Sequence, residues 1–228
     1  MKKVFIAVNI FYLFIILLLL KYDNIPTRIK IRSGHYHYTN NDNYEIRRSL
    51  FKTEGAPAKI VIIGTSLTAF ADWSKILDKY DVANRGIGAD VTDGMLARLD
   101  DVYSLRPSVC VVEGGINDFG KLVSVERIAG NLVAIYDSLR AHGITPISNS
   151  ILPYGKRISK SEKVNRKIAA VNSIVERHCK AAGIRRIDLG PALAKDGYFD
   201  PRYTLDGVHL TGNAYAIWRD SLKTVLPK

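Results

Sequence analysis

The sequence contains only two cysteines among 228 residues, Cys110 and Cys179. Two cysteines are too few for the disulfide framework that stabilises small secreted domains. Cys110 lies in the apolar run from Val109 to Val112, and Cys179 lies near the end of a helical pattern. We therefore expect two buried thiols rather than a disulfide or a catalytic cysteine.

Long apolar runs are missing everywhere except near the N-terminus. Val4–Leu20 is apolar apart from Asn9, and lysines lie on both sides of it. At about 1.5 Å per helical residue this run spans roughly 25 Å, at the short end for crossing a bilayer. No small-residue cleavage site follows it. This favours an uncleaved anchor that comprises residues 1–21, and it disfavours a cleaved signal peptide.

The charges around this run predict which side of the membrane the rest of the chain occupies. Lys2 and Lys3 precede the run, and the positive-inside rule keeps such a stub in the cytoplasm. Lys21 and Arg28 follow the run and weaken the rule. We expect a single-pass protein whose C-terminal domain, residues 56–228, lies on the periplasmic or cell-surface side. Residues 22–55 are polar and predict a juxtamembrane linker with some docked structure.

The sequence also lacks a nucleic-acid-binding motif, although its formal net charge is +11. The basic residues are scattered along the chain instead of being clustered in one segment. A positive surface can attract nucleic acid, anionic lipid or acidic glycan. We interpret the charge as a solvated surface near an anionic membrane, and we expect no nucleic-acid partner.

After residue 55, short apolar runs alternate with helical periodicity. Near-continuous apolar strands that alternate with helices are typical of a parallel sheet covered on both faces, which makes a three-layer α/β/α sandwich. Ser124 is the predicted cap of one helix, and Ser159 with Glu162 fits a capping box before the next. The five candidate strands are Ile60–Ile63, Asp81–Asn84, Val109–Val112, Ile144–Ser148 and Ile184–Ile187.

The first candidate strand ends at Gly64, and Ser66 follows where the chain turns toward a helix. Ligands bind beyond the carboxyl ends of strands in open α/β sheets, so this hydroxyl is a candidate nucleophile. Its alternative role is to cap the next helix. The G-x-S-x-G elbow of α/β-hydrolases is absent, because Thr68 occupies the last position of that motif.

Two further segments follow the next strands. Gly86 lies after the second strand, where a glycine lets the backbone approach a ligand closely. A dinucleotide fingerprint is disfavoured, because Val91 occupies the third glycine position. Asn117 follows the third strand, and its side-chain amide can donate to a developing oxyanion. A plain turn glycine and a loop-capping asparagine remain the alternatives.

The last segment, Leu205–Leu210, contains His209 and, three residues earlier, Asp206. A general base needs one ring nitrogen free to accept a proton, while the other donates to an orienting carboxylate. Asp206 can fold back to provide that carboxylate. The alternative is a surface histidine. The other histidines lie in the linker, at a helix end and within a helix.

Together the four segments resemble the conserved blocks of SGNH (GDSL-like) hydrolases, in the same order, over residues 60–222. They are Gly64-Thr-Ser66-Leu, Asn84-Arg-Gly86-Ile-Gly88, Gly115-Ile-Asn117-Asp118 and Asp206-Gly-Val-His209-Leu. The closest branch resembles platelet-activating-factor acetylhydrolases. Two positions depart from the family pattern: Thr65 stands where an aspartate is common, and Ala89 stands where a second glycine is common.

The resemblance implies a flavodoxin-like SGNH fold and a serine esterase that needs no cofactor and no metal. It implies a triad of Ser66, His209 and Asp206, with oxyanion donors from Ser66, Gly86 and Asn117. We expect a short acyl ester as the substrate, such as an O-acetyl group on a glycan or lipid. A lysophospholipase or lipase, a glycan O-acyltransferase and an inactive anchored binding module are the alternatives.

Overall fold

The computed structural model describes residues 11–13 and 36–227. The chain groups into two units, residues 1–40 and 41–228. In the first unit, residues 11–13 are helical and Tyr38–Asn40 forms a 3₁₀ turn. Apart from residues 11–13, the predicted anchor lies outside the described residues, and so do residues 22–35 of the predicted linker. Within the described ranges, no helix is both long and apolar enough to cross a membrane.

The second unit is built on a five-stranded parallel sheet with the order β2-β1-β3-β4-β5. This order is that of flavodoxin-like folds and confirms the predicted sheet. Each strand lies within two residues of its predicted bounds. The strands are β1 Ile60–Gly64, β2 Val82–Gly86, β3 Val109–Val112, β4 Thr145–Asn149 and β5 Arg185–Ile187, and a separate two-stranded ribbon consists of β6 Ala194–Lys195 and β7 Tyr198–Phe199.

Helices cover both faces of the sheet. Val61 and Ile63 of β1 point into one apolar core, and Ile60 and Ile62 point into the other. This alternation confirms the three layers. The helices are α1 Asp42–Thr53, α2 Ser66–Ala69, α3 Trp73–Ile76, α4 Thr92–Ala97, α5 Asp100–Tyr103, α6 Ile116–Gly120, α7 Val125–Ala141, α8 Ser161–Ala182, α9 Gly190–Leu193 and α10 Gly212–Val225.

The longest helices supply most of the covering side chains. Ile135 of α7 and Val171 of α8 lie in the first core, and Trp218 of α10 lies in the second core. Both cysteines are buried free thiols, as predicted, and burial raises the pKa of the Cys110 thiol to about 12. A thiol with such a pKa stays protonated and is a poor nucleophile.

Helix α1 falls in the range that the sequence assigned to the linker, but it belongs to the unit that begins at Asn41. Tyr44 and Phe51 of this helix are buried, and the Tyr44 hydroxyl donates to the carbonyl of Gly94. Arg48 pairs with Asp101 at 2.9 Å. The sequence shows a polar segment here because only one narrow side of this helix is apolar.

The predicted helix caps had mixed outcomes. Ser124 caps α7, and its hydroxyl accepts from the N–H of Arg127. The predicted capping box of Ser159 and Glu162 is wrong, because α8 begins at Ser161 after Lys160, which has a left-handed backbone and makes no side-chain cap. One residue of difference in the starting point is enough to remove the required spacing.

The strand order places the site at the carboxyl ends of β1, β2 and β3. The chain leaves β1 toward β2 on one side and later returns to β3 on the other side, which creates a topological switch point beside β1. The Arg98 side chain is fully buried below this point and donates to the carbonyls of Gly64 and Arg85 and to the carboxylate of Asp90. Arg98 therefore fixes the ends of β1 and β2 relative to each other.

Candidate active site

Ser66 is the first residue of α2, and only 7% of it is exposed. The first N–H groups of a helix have no partner within the helix, so the Ser66 N–H is available to a ligand. Thr65 caps the helix, and its hydroxyl accepts from the N–H of Leu67. The alternative assignment of Ser66 as the cap is therefore wrong, because Thr65 has that role.

His209 lies on the loop before α10, and its ring meets Ser66. The distance from the Ser66 Oγ to the His209 Nε2 is 3.0 Å, although 143 residues separate the two positions. The other ring nitrogen, Nδ1, lies 2.5 Å from Oδ2 of Asp206. Phe70, which is largely exposed, packs beside the imidazole with its ring centre 5.2 Å away. The structure therefore brings Ser66, His209 and Asp206, the three residues predicted from the sequence, together in one hydrogen-bonded series.

Asp206 receives several hydrogen bonds from its own loop. Its Oδ1 accepts from the N–H groups of Val208 and His209 at 2.9 and 2.7 Å. Partial burial opposes ionisation, but these N–H groups and the His209 ring outweigh it and hold the pKa of Asp206 well below its usual value. The carboxylate is therefore ionised at neutral pH, and it keeps the Nδ1 proton on His209 and leaves Nε2 to accept.

Gly86, the predicted second oxyanion donor, has a different role in the structure. Its N–H donates to Oδ1 of Asn84 at 2.8 Å, so this donor is already paired. The lack of a side chain at Gly86 has a steric reason, because a Cβ there would lie 2.4 Å from the backbone nitrogen of Ala69. The glycine allows α2 to pack closely on β2. The predicted donor role of Gly86 therefore conflicts with the pairing of its N–H in this structure.

The loop after Gly86 continues to Asn117. The Asn117 side-chain amide donates to the carbonyl of Asp90 at 2.9 Å, and one of its two N–H groups remains for a ligand. Ala89, directly before Asp90, has a positive φ of 59°. Its N–H makes no hydrogen bond within the described part of the chain. The family pattern commonly has a second glycine at this position, and the left-handed backbone explains that preference, because glycine adopts a positive φ without strain.

Sequence reasoning missed the role of Glu113, which directly follows β3. Its buried Oε2 accepts from the N–H and the hydroxyl of Thr65 and from the hydroxyl of Thr68, all within 3.0 Å. Burial raises the pKa of Glu113, and these donors oppose the rise. The carboxyl thus ties the Ser66 turn to the loop that carries Asn117. Its signal in the sequence is a single acidic residue at the end of an apolar strand.

The Glu113 contacts generate a prediction at Thr68. Replacing Thr68 with Val keeps the shape but removes one donor to the buried carboxyl, which should cost about 1–3 kcal/mol of unfolding free energy. We also expect turnover of an acetyl ester to fall about tenfold, because the Ser66 turn loses part of its support. Urea unfolding and kcat are the measurements.

Thr68→Ser is the matched control, because it keeps the hydroxyl and loses only a methyl group. It should retain most of the turnover. Equal turnover in the valine and serine variants would show that the hydroxyl contact with Glu113 does not position Ser66.

Comparison with known proteins agrees with this geometry. A family model for the GDSL-like lipase/acylhydrolase family matches residues 53–217. The chain is 28% identical over 167 residues to human platelet-activating factor acetylhydrolase IB subunit alpha2, covering 69% of this chain and 71% of that protein. It is 27% identical over 175 residues to an N-acylneuraminate cytidylyltransferase of Streptococcus agalactiae, covering 74% of this chain but 40% of that protein.

Among solved structures, a GDSL-like lipase from Bacteroides thetaiotaomicron superposes with a TM-score of 0.71 at 25% identity, covering 80% of this chain and 96% of that one. The sequence match and the five-stranded parallel sheet thus agree on one family. The chain therefore belongs to the GDSL-like lipase/acylhydrolase family of SGNH hydrolases and is an ester-hydrolysing enzyme.

Proposed function

We propose that the protein is a membrane-anchored serine esterase that removes a short acyl group, such as acetyl, from a glycan or lipid alcohol. Ser66 is the nucleophile, His209 is the general base, and Asp206 orients the imidazole. The observation that carries this proposal is the 3.0 Å contact from the Ser66 Oγ to the His209 Nε2, with Asp206 on the other ring nitrogen. A nucleophile, a base and an orienting carboxylate in line are what acyl transfer requires.

The reaction proceeds in two halves. In the first, the Ser66 Oγ attacks the ester carbonyl carbon, His209 takes the hydroxyl proton at Nε2, and the same proton passes to the leaving alcohol. This leaves an acyl group on Ser66. In the second half, His209 takes a proton from water, the hydroxide attacks the acyl carbon, and Ser66 recovers its proton as the acid leaves. Asp206 stabilises the imidazolium in both halves.

Three N–H donors are proposed for the oxyanion: the backbone N–H of Ser66, the side-chain amide of Asn117 and the backbone N–H of Ala89. Ala89 takes the place of Gly86, whose N–H is paired with Asn84. Among the residues that the structure describes, none accepts a hydrogen bond from the Ala89 N–H, and the loop is held to Asn117 through the carbonyl of Asp90. Donors that are fixed before the reaction stabilise the developing charge without reorganising.

A short acyl group is supported by a small cavity, which we call the acyl cavity; its wall holds sequence neighbours of the proposed site residues but not Ser66, Asn117 or His209 themselves. This narrow cavity of about 10 Å³, room for about one water molecule, is lined by Leu67, Ile116 and Val208. Each of these residues directly adjoins a proposed site residue in the sequence. An acetyl methyl group fits such a space, whereas a long chain would have to displace buried side chains. The name of the human relative, an acetylhydrolase, supports the same choice.

Membrane attachment through residues 1–21 is supported by the apolar run Val4–Leu20 alone. We expect the full chain to sediment with membranes and to resist alkaline carbonate, and a variant that lacks residues 2–21 to be released. Protease added outside intact cells should digest the C-terminal domain. Release of the full chain by carbonate would contradict the anchor, and protection from the protease would contradict the extracytoplasmic side.

The esterase proposal is tested with p-nitrophenyl esters of increasing chain length. We expect kcat/KM to be highest for acetate and to fall by at least tenfold at octanoate, because the acyl cavity is small. Ser66→Ala should remove the activity while the urea midpoint stays close to that of the wild type. A preference for long chains would indicate a lipase instead of a short-acyl esterase. Hydrolysis by the Ser66→Ala variant would refute the assignment of Ser66 as the nucleophile.

The role of Asn117 gives a separate prediction. Asn117→Ala removes one oxyanion donor and should lower kcat by about 10²- to 10³-fold, with little change in KM, because the donor acts in the transition state. The matched control is Asn131→Ala, which removes an amide on α7 that hydrogen-bonds Thr92 and Asp93. Turnover of Asn117→Ala equal to that of the control would refute the donor role.

A further inference from the structure

A second, larger cavity lies beside the loop that carries Asp206 and His209. It measures about 370 Å³, within the usual range of small-molecule sites. Three cationic side chains, those of Lys156, Arg157 and Lys195, lie along its wall. We call it the basic cavity. It is distinct from the narrow acyl cavity, and none of the proposed reacting groups lies in its wall.

The basic cavity borders the loop of the proposed active site at Gly207, which lies between Asp206 and Val208. The N–H of Gly155 donates to the Gly207 carbonyl at 2.8 Å, and a Cβ on Gly155 would lie 2.8 Å from the Gly207 Cα. Thr204, also in the wall, accepts from the Gly207 N–H at 2.9 Å. A ligand in the basic cavity therefore contacts the same loop that holds His209.

The charges of this cavity favour an anionic ligand. Within the described part of the chain, Lys156, Arg157 and Lys195 form no ion pair. Of the two acidic residues in the wall, Asp200 pairs with Arg202 at 2.7 Å and also interacts with Lys195, and Asp196 is the other, so cations outnumber acids in the wall. Unpaired cations around a concave site attract carboxylate or phosphate groups, and an arginine can bind such a group through two N–H donors.

The position of the cavity shows which part of the ester it would contact. His209 gives its proton to the leaving alcohol, so the loop around His209 faces the alcohol side of the substrate. The acyl cavity touches this loop through Val208 and Leu210, and its other walls include Leu67, Ile116 and residues 149–154. Tyr198 and Pro201 add apolar surface to the basic cavity, which suits the faces of a sugar ring.

We propose that the basic cavity binds an acidic sugar residue in the alcohol part of the substrate, with its carboxylate at Lys156, Arg157 and Lys195. This inference rests on the proposed esterase function and narrows its substrate to O-acyl acidic glycans. Binding energy from this remote contact would hold the ester in place for attack by Ser66.

The test compares O-acetyl glucuronate with O-acetyl glucose. The first sugar has a carboxylate where the second has a hydroxymethyl group, and they are otherwise the same. We expect the wild type to have a kcat/KM about tenfold higher for the glucuronate, and added salt should reduce the difference. The triple variant Lys156→Gln, Arg157→Gln, Lys195→Gln should lose this preference and retain p-nitrophenyl acetate hydrolysis. Its matched control changes Lys52, Lys180 and Lys223, three exposed lysines elsewhere, to Gln and should keep the preference.

Equal kcat/KM for the two sugars in the wild type, or a preference that survives in the triple variant, would overturn the inference. A preference confined to acetylated glycerol phosphate would overturn it in favour of a phosphate-bearing lipid alcohol. To separate the cavity proposal from the esterase proposal, the binding of O-acetyl glucuronate to the Ser66→Ala variant is measured by NMR. Binding that is lost in the triple variant supports the cavity even if the wild type hydrolyses no ester, and absent binding contradicts the cavity even if p-nitrophenyl acetate is hydrolysed.

Discussion

The hydrogen bond between Ser66 and His209 is the contact on which the functional account depends. It joins the end of β1 to the loop before α10, two parts of the chain 143 residues apart, so it depends on the tertiary fold. The Asp206 carboxylate fixes the imidazole from the other side, and its own loop supplies the N–H groups that keep it ionised. A proton can therefore move between serine and histidine without prior rearrangement.

Buried polar side chains hold the three strand ends that surround this contact. Arg98 donates to carbonyls at the ends of β1 and β2, and Glu113 at the end of β3 accepts from the turn that carries Ser66. Leaving a buried polar group without hydrogen-bond partners is costly, so each of these groups fixes the geometry of its neighbours. In the described part of the chain the Ala89 N–H at this edge makes no hydrogen bond, and the Ser66 N–H is the first of its helix.

Much of this architecture was predictable from the sequence because it depends on local patterns. The apolar runs predicted all five strands of the main sheet. Polar residues after two of these strands identified Ser66 and Asn117, and the loop before the last helix identified His209. The pairing of individual backbone N–H groups was not predictable. Gly86 was chosen because a glycine lets a backbone approach a ligand, but its N–H turned out to face Asn84, and its missing side chain makes room for α2.

The same limit applies to Glu113 and α1. The carboxyl of Glu113 meets Thr65 and Thr68 only because β1 and β3 lie side by side, and the sequence alone does not give that order. Helix α1 has too few apolar residues to stand out from a linker, and its place becomes clear only through the burial of Tyr44 and Phe51. Tertiary contacts, and not local propensity, decide both cases.

Reaction with a fluorophosphonate tests the central claim most directly, because this reagent forms a covalent bond only with a serine that a base has activated. Peptide mass spectrometry of the labelled protein should locate a single adduct on Ser66, and the labelling rate should fall by at least a hundredfold in His209→Gln. An adduct on another residue, or undiminished labelling in His209→Gln, would contradict the account.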